Sequence, residues 1–430
     1  MTDSETAPRE RAWLVAAGAL VVAAAIARFH NAFAFPPLHD YDGPGHALNV
    51  FALYEGRLPD PQSWSGFHPP LAYAIGAALW HVLPSGVPVH AALRLLSAAA
   101  GFGAVAIAHR ALRRFFPAAD AAVVAAFVLC APVVAIAASM LGNETLCALF
   151  ATAALARLLG IPSDPRAARR HGAITMGLAG LAALSKSTGL GVVGVVGLAY
   201  LWRQRRAGAA ALAGTALVLG GIACVALAPH YGRLIAAGGS PLAVVSGGVS
   251  GAAAGEMAQQ PPGVRHVADY FSFPSAVLFA PFKDAPNMVQ SVPGLLYATV
   301  WADGQGEFLP ASERSVVAVA SLVALLGLVP TAAAGIGLAR ILRRAELRDA
   351  MGAPLLYAAL LFAALLVQTW VVPRFSAVKA SYLLSALLPA TLALGAGVAM
   401  SRPRARAALR GVLLATAAFA TFLTWYGWWT

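Results

Sequence analysis

Pro69-Pro70-Leu71-Ala72-Tyr73-Ala74-Ile75-Gly76-Ala77-Ala78-Leu79-Trp80-His81-Val82-Leu83 decides how the rest of the chain is threaded. The stretch is apolar but only about 15 residues long, short of the roughly 20 that a helix needs to cross a bilayer. Laid along the membrane surface, it leaves Arg110, Arg113 and Arg114 on the inner side, where arginine clusters belong. Threaded across, it would put them outside. The surface reading is adopted, and it sets the parity of every later span.

Composition agrees with a membrane protein. Of 430 residues, 59% are hydrophobic and 11% charged, where a globular chain carries about a quarter of charged residues. A net charge of +12 would suit nucleic acid, but the arginines sit in short clusters between apolar runs, which is an orientation signal. No nucleic-acid partner is expected, and membrane lipids are. Cys130, Cys147 and Cys224 lie singly inside apolar runs with no pairing or metal-ligand spacing.

Apolar runs at 12–34, 90–111, 118–139, 143–160, 173–185, 188–202, 208–228, 315–342, 352–372, 380–400 and 410–428 predict an all-α polytopic membrane protein of about eleven spans. The first run contains Ala25-Ile26-Ala27 but is read as a retained anchor rather than a cleaved signal. Residues 1–430 form one integral membrane domain. Its first outer loop, 35–89, carries two surface helices. A second large outer segment, 229–314, is expected to form surface helices and a lid around Tyr270, Phe271, Phe273, Phe279 and Trp301. Trp425, Tyr426, Trp428 and Trp429 suit an interfacial aromatic belt. Rich use of Ala, Gly and Arg points by association to a bacterial inner membrane.

The polar groups collect on the outer side. Asp40 and Asp42 lie in His39-Asp40-Tyr41-Asp42-Gly43-Pro44-Gly45-His46, directly after the first span. In an extended segment they stand about 6.5 to 7 Å apart, too far to share a proton, so one base with a supporting acid is the expected arrangement. Turn chemistry before Gly43-Pro44-Gly45 is the bland alternative. His46 opens an amphipathic surface helix, either holding an acceptor or orienting a carboxylate, and His68 opens the next. In Met140-Leu141-Gly142-Asn143-Glu144, Asn143 suits a helix cap and Glu144 the positive helix end. Lys186, Lys283 and Lys379 are the only lysines, and all three fall on the outer side. Lys186, in Ser185-Lys186-Ser187-Thr188-Gly189, either binds a lipid-linked phosphate or snorkels to the interface. The near match of Gly180 to Ser187 to a P-loop is rejected, because no strand precedes it. Arg374, Lys379 and Tyr382 surround the start of the tenth span. Arg94, Arg233, His230 and Asp303 are weaker candidates.

Together these pieces resemble the GT-C superfamily of membrane glycosyltransferases, in particular bacterial protein-mannosyltransferase-like and aminoarabinose-transferase-like members. Asp42 with His46 looks like the family's acidic motif in the first outer loop. His68-Pro69-Pro70-Leu71-Ala72-Tyr73 is similar to its Pro-Pro-Leu-Tyr-Tyr stretch, and Ala92-Leu93-Arg94 to its Ala-Leu-Arg. Leu184-Ser185-Lys186-Ser187-Thr188-Gly189 resembles Leu-Thr-Lys-x-Thr-Gly, and Lys379 to Pro389 an Arg-Tyr then Leu-Pro segment. Order and sidedness of these motifs carry the likeness. Gly43 stands where many relatives have Glu, which leaves the base open between Asp40 and Asp42. Ser381 stands where an arginine often precedes the tyrosine, and many relatives have a longer carboxyl-terminal outer domain.

The resemblance implies a sugar donor linked to a polyprenyl phosphate and an acceptor of unspecified class on the outer face. An Asp base in the first loop would take the acceptor's proton, with inversion at the sugar. Lys186, Arg374, Lys379 and Arg94 would face the phosphate, and His46, His68, Glu144 and Tyr382 the donor or acceptor. A cavity for the sugar is expected between the carboxylate and the cations. Neither a metal nor another cofactor is expected. A transporter or flippase of a lipid-linked or small polar substrate is the main competitor, and it would place polar groups near the bilayer midplane.

Overall fold

The computed structural model describes residues 3–61, 63, 65–84, 86–238 and 259–430. Among them there is no strand, and sixteen α-helices follow the apolar runs. They are α1 (Asp3–Ala34), α2 (Gly43–Tyr54), α3 (Leu71–Val82), α4 (Val89–Leu112), α5 (Ala118–Cys130), α6 (Pro132–Ser139), α7 (Glu144–Leu158) and α8 (Pro165–Ser185). After them come α9 (Leu190–Gln204), α10 (Ala209–Leu227), α11 (Arg233–Ala236), α12 (Val292–Trp301), α13 (Arg314–Arg343), α14 (Ala345–Val371), α15 (Leu387–Ala399) and α16 (Pro403–Leu423). Buried side chains from Ala17 in α1 to Leu423 in α16 join one hydrophobic core.

Seven helical segments are long and apolar enough to cross a membrane, or eight with one bent pair counted as a span. The helices α7, α8 and α9, expected as spans, have 15, 21 and 15 residues and fall outside that set. The bent pair is α5 with α6, over the span expected at 118–139. Pro132 lacks an N–H and forces extended backbone at Ala131 (φ −54°, ψ 134°), so the two helices meet at 51°. The span expected at 380–400 also differs. Its first third, Ala380–Ala386, is wound as a 3-10 helix, the tighter form common at helix starts.

Between Ala34 and α4 the chain forms two helices, α2 and α3. α2 and α3 stack Tyr54 on Trp80 with ring centres 4.7 Å apart. Of the segment 229–314, expected on the outer side, residues 239–258 lie outside the described residues. Tyr270 and Phe273 pack on Trp370 and Tyr297, while Phe271 and Phe279 are exposed. Among the terminal aromatics, Tyr426 packs edge-on against Phe35, and Trp429 against Phe308.

Candidate active site

Asp40, Asp42, Glu144, Lys186, Lys379 and Tyr382 come together at one end of the bundle, where α2, α4 and α7 begin and α8 ends. Each is placed by a break in regular structure. Asp42 sits at the N-cap of α2 but makes no side-chain cap bond. Its carboxylate instead meets Lys379 Nζ at 3.5 Å. Gly43 is bare where a Cβ would stand 2.6 Å from Asp40 Cβ, so glycine at this position leaves room for Asp40 to fold back. Asp40 Oδ2 then accepts the backbone N–H of Leu141, between α6 and α7.

Lys186 stands where α8 stops. Its extended backbone (φ −152°, ψ 144°) ends the helix, and a 3-10 turn over Ser187–Gly189 leads into α9. A Cβ at Gly189 would lie 2.3 Å from the Ala182 carbonyl carbon, so only glycine lets this turn lie on α8. Tyr357 donates to Thr188 O in the turn at 3.3 Å, and Tyr231 to Ala183 O in the last turn of α8 at 2.9 Å. Lys186 Nζ consequently reaches Glu144 Oε1 at 2.6 Å. The Tyr382 ring lies beside both ammonium groups, 4.7 Å from Lys186 Nζ and 5.9 Å from Lys379 Nζ.

The two acids of the first loop differ in proton affinity. Burial pushes Asp40 up to about 7, a rise that Leu141 N–H opposes and the neighbouring Glu144 and Asp42 carboxylates reinforce. Burial also pushes Asp42 upward, but the Lys379 ammonium outweighs it and leaves Asp42 at about 2. The Asp42 side chain keeps 31% of its exposure, so water screens part of that attraction. Burial lowers His46, and lowers His68 to about 3, which keeps both imidazoles neutral near pH 7. His46 Nδ1 pairs with Tyr73 OH at 2.7 Å, and the His68 ring packs beside that of His46 at 5.6 Å.

Several expectations need correction. No sugar-sized gap separates the carboxylates from the cations. Lys379 touches Asp42, Lys186 touches Glu144, and the cavity they flank holds about 10 Å³, roughly one water. Arg94 faces no phosphate site. It is fully buried and donates to Phe35 O at 2.5 Å and Pro36 O at 2.7 Å, fastening the loop that precedes Asp40. Asn143 stands at the N-cap of α7 without a cap bond, and its Nδ2 donates to Tyr73 OH at 3.5 Å. Arg374 is half-buried beside the 3-10 turn Phe375–Ala377, and its side chain has no ion pair among the described residues. Arg233 is tied to Pro59 O at 2.9 Å. No three His, Cys, Asp or Glu side chains converge as metal ligands among the described residues.

Tyr41 and Tyr73 escaped the sequence reading. Tyr41 donates to Asp303 Oδ1 at 2.6 Å, and Asp303 Oδ2 accepts Leu309 N–H at 2.9 Å and Phe308 N–H. Asp303, a weak candidate from sequence, is therefore the buried anchor joining the loop after α12 to the first loop. The signal for Tyr41 was its place between the two acids. Ser381 Oγ and Asn143 Oδ1 are buried near these groups without a partner among the described residues. Beside the polar cluster, and sharing His46, Leu141 and Gly142 with it, lies a cavity of about 400 Å³ walled by Val50, Leu93, Leu146 and other apolar groups of α2, α3, α4 and α7.

No family model and no curated protein matches the sequence. Among solved structures, the chain is similar to ArnT from Cupriavidus metallidurans bound to undecaprenyl phosphate, with 18% identity and a TM-score of 0.50 over 91% of this chain. The apo state of ArnT aligns with 18% identity over 91% of this chain and 78% of that one, at a TM-score of 0.38. The chain spans 61% of the length of the lipid-bound ArnT structure. At this level of identity the likeness speaks for architecture alone, and the chain shares the all-helical fold of that ArnT structure.

Proposed function

We propose that the protein is a glycosyltransferase that moves a sugar from a polyprenyl-phosphate donor to an acceptor hydroxyl at the outer membrane face of a bacterial inner membrane. One observation carries the reading: a carboxyl held near 7 stands among two lysine–carboxylate pairs, next to a large apolar cavity. The apolar cavity suits the first isoprene units of a lipid chain, and the ammonium groups suit the phosphate it carries. The undecaprenyl phosphate bound to the ArnT structure supports a donor of this type.

In the reaction, the acceptor oxygen attacks the anomeric carbon. Its proton passes to Asp40, the bond from carbon to phosphate oxygen breaks, and the electron pair stays on the lipid phosphate. Asp40 is the better base, because a base works best with a pKa near the operating pH. Asp42 orients Lys379. Lys186 and Lys379 each have three N–H donors, so they can turn toward the phosphate while remaining beside their carboxylates and stabilise its charge. The leaving group is a stable anion and needs no general acid. Direct displacement inverts the anomeric centre. The polar groups gather at one end of the bundle rather than its middle, which disfavours a transporter.

The test is incubation of purified protein with labelled polyprenyl-phosphate sugars and bacterial membranes as acceptor. Wild type should transfer label, and Asp40→Asn should lose about a hundredfold or more of kcat while donor binding persists. Unchanged transfer in Asp40→Asn and Asp42→Asn alike would remove the proposed base. Solute uptake into proteoliposomes without transfer would replace the enzyme by a transporter.

A further inference from the structure

A second polar cavity lies at the opposite end of the bundle, where α4 and α7 end and α8 begins. It holds about 400 Å³ and is lined by Arg110, Arg114, Arg157 and His171 against an apolar wall that includes Ile107 and Leu178. None of its lining residues is acidic. Arg157 is half-buried and ties α7 to α8, donating from Nε to Thr175 Oγ1 at 3.0 Å and from Nη2 to His171 O at 3.3 Å. Arg110 and Arg114 are exposed, and among the described residues neither has a hydrogen-bond or ion-pair partner.

An orientation signal needs only that arginines face the inner side. It does not require three of them to converge on a cavity without a counter-charge. The neighbouring cleft shows the contrast. It holds about 850 Å³, shares Gly160, and is lined by Arg203, Arg205 and Arg206, but Asp349 supplies a carboxylate there. In that cleft Arg205 is also occupied, lying 3.4 Å over the Trp202 ring and donating to Trp202 O at 2.6 Å.

We propose that the cavity at Arg110, Arg114 and Arg157 binds the phosphodiester head group of an anionic phospholipid from the leaflet opposite the candidate active site. Guanidinium groups match phosphate oxygens in forked geometry, and basic pockets between membrane helices take such head groups. The apolar wall formed by Ile107 and Leu178 gives an acyl chain a place to lie. A free anion would gain nothing from that wall, so the observations favour the lipid.

Full-length protein in detergent would be titrated with phosphatidylglycerol and with phosphatidylcholine and followed by native mass spectrometry. Phosphatidylglycerol should bind in preference. The Arg110→Gln/Arg114→Gln variant should lose about thirtyfold in affinity, at about 1 kcal/mol for each cation. The matched Arg203→Gln/Arg206→Gln variant should bind as wild type does. Equal losses in both variants would mean diffuse charge attraction, and an unaffected double variant would remove the site. Displacement of the lipid by millimolar inorganic phosphate would make it a site for a free anion. Photoactivatable phosphatidylglycerol on wild-type protein gives a check independent of variant folding. Adducts are expected within 107–114 or 153–160, and adducts confined elsewhere would overturn the assignment.

Discussion

At the scale of the residue, burial raises Asp40 to about 7 while Lys379 holds Asp42 at about 2. Activity should therefore rise with pH, with a midpoint near 7 in kcat/KM. The Asp42 carboxylate is one of the charges that raise Asp40, so in Asp42→Asn the midpoint should move to lower pH with activity retained. Complete loss in that variant would give the base to Asp42 instead. Stability follows the opposite course. The folded chain holds the Asp40 proton more tightly than an ordinary carboxyl near 3.8 would. Its contribution is thus full below about pH 4 and lost as pH rises toward 7. Thermal melts of Asp40→Asn should lack that part of the pH dependence.

At the scale of the element, two irregular segments hold the chemistry. The first loop is fastened from behind through Tyr41 and Asp303, and Ala380 N–H donates to Thr299 Oγ1 at 3.0 Å, fastening the Lys379 segment to α12. Tyr41→Phe leaves a carboxylate oxygen of the fully buried Asp303 unpaired, a loss of about 1 to 3 kcal/mol. It should lower the melting temperature, and kcat should fall about tenfold to a hundredfold through misplacement of the neighbouring acids, with the pH midpoint unchanged. The second segment is the turn after Lys186. Gly189→Ala puts a methyl group against the Ala182 backbone, so the turn must lift and Lys186 must leave Glu144. Its expected signature is a raised KM for the lipid donor together with reduced stability. A wild-type KM would show that the turn adapts.

At the scale of the whole molecule, the end opposite the site is held by charge. Asp120 of α5, fully buried, accepts from Arg406 and Arg410 of α16, and Arg410 also reaches Glu10 of α1 at 2.8 Å. Removing one partner of a buried pair costs roughly 3 to 5 kcal/mol. Asp120→Ala should therefore lower the melting temperature markedly, yet leave KM near wild type in the protein that folds, because the network is remote from the candidate site.

The all-helical architecture, a short separate helix at Leu71–Val82 and the gathering of Asp42, Glu144, Lys186, Lys379 and Tyr382 at one end were legible in the chain. Apolar run length and arginine clusters report directly on a bilayer, whatever the helices later touch. The bend at Pro132 has a local cause as well, since the missing N–H belongs to that residue alone. What the carboxylates and lysines do to one another was not readable. Arg94 looked like Lys186 in sequence, one more cation in an apolar run, yet one is sealed against loop carbonyls and the other meets a carboxylate. Pairings across 42 residues for Glu144 with Lys186 and 337 for Asp42 with Lys379 depend on how helices cross and where turns break. Local sequence therefore determined which segments are apolar helices and which breaks between them carry the polar groups. Only the packed fold decided which acid keeps a proton, because burial and the nearest opposite charge are properties of neighbours that the chain brings together from far apart.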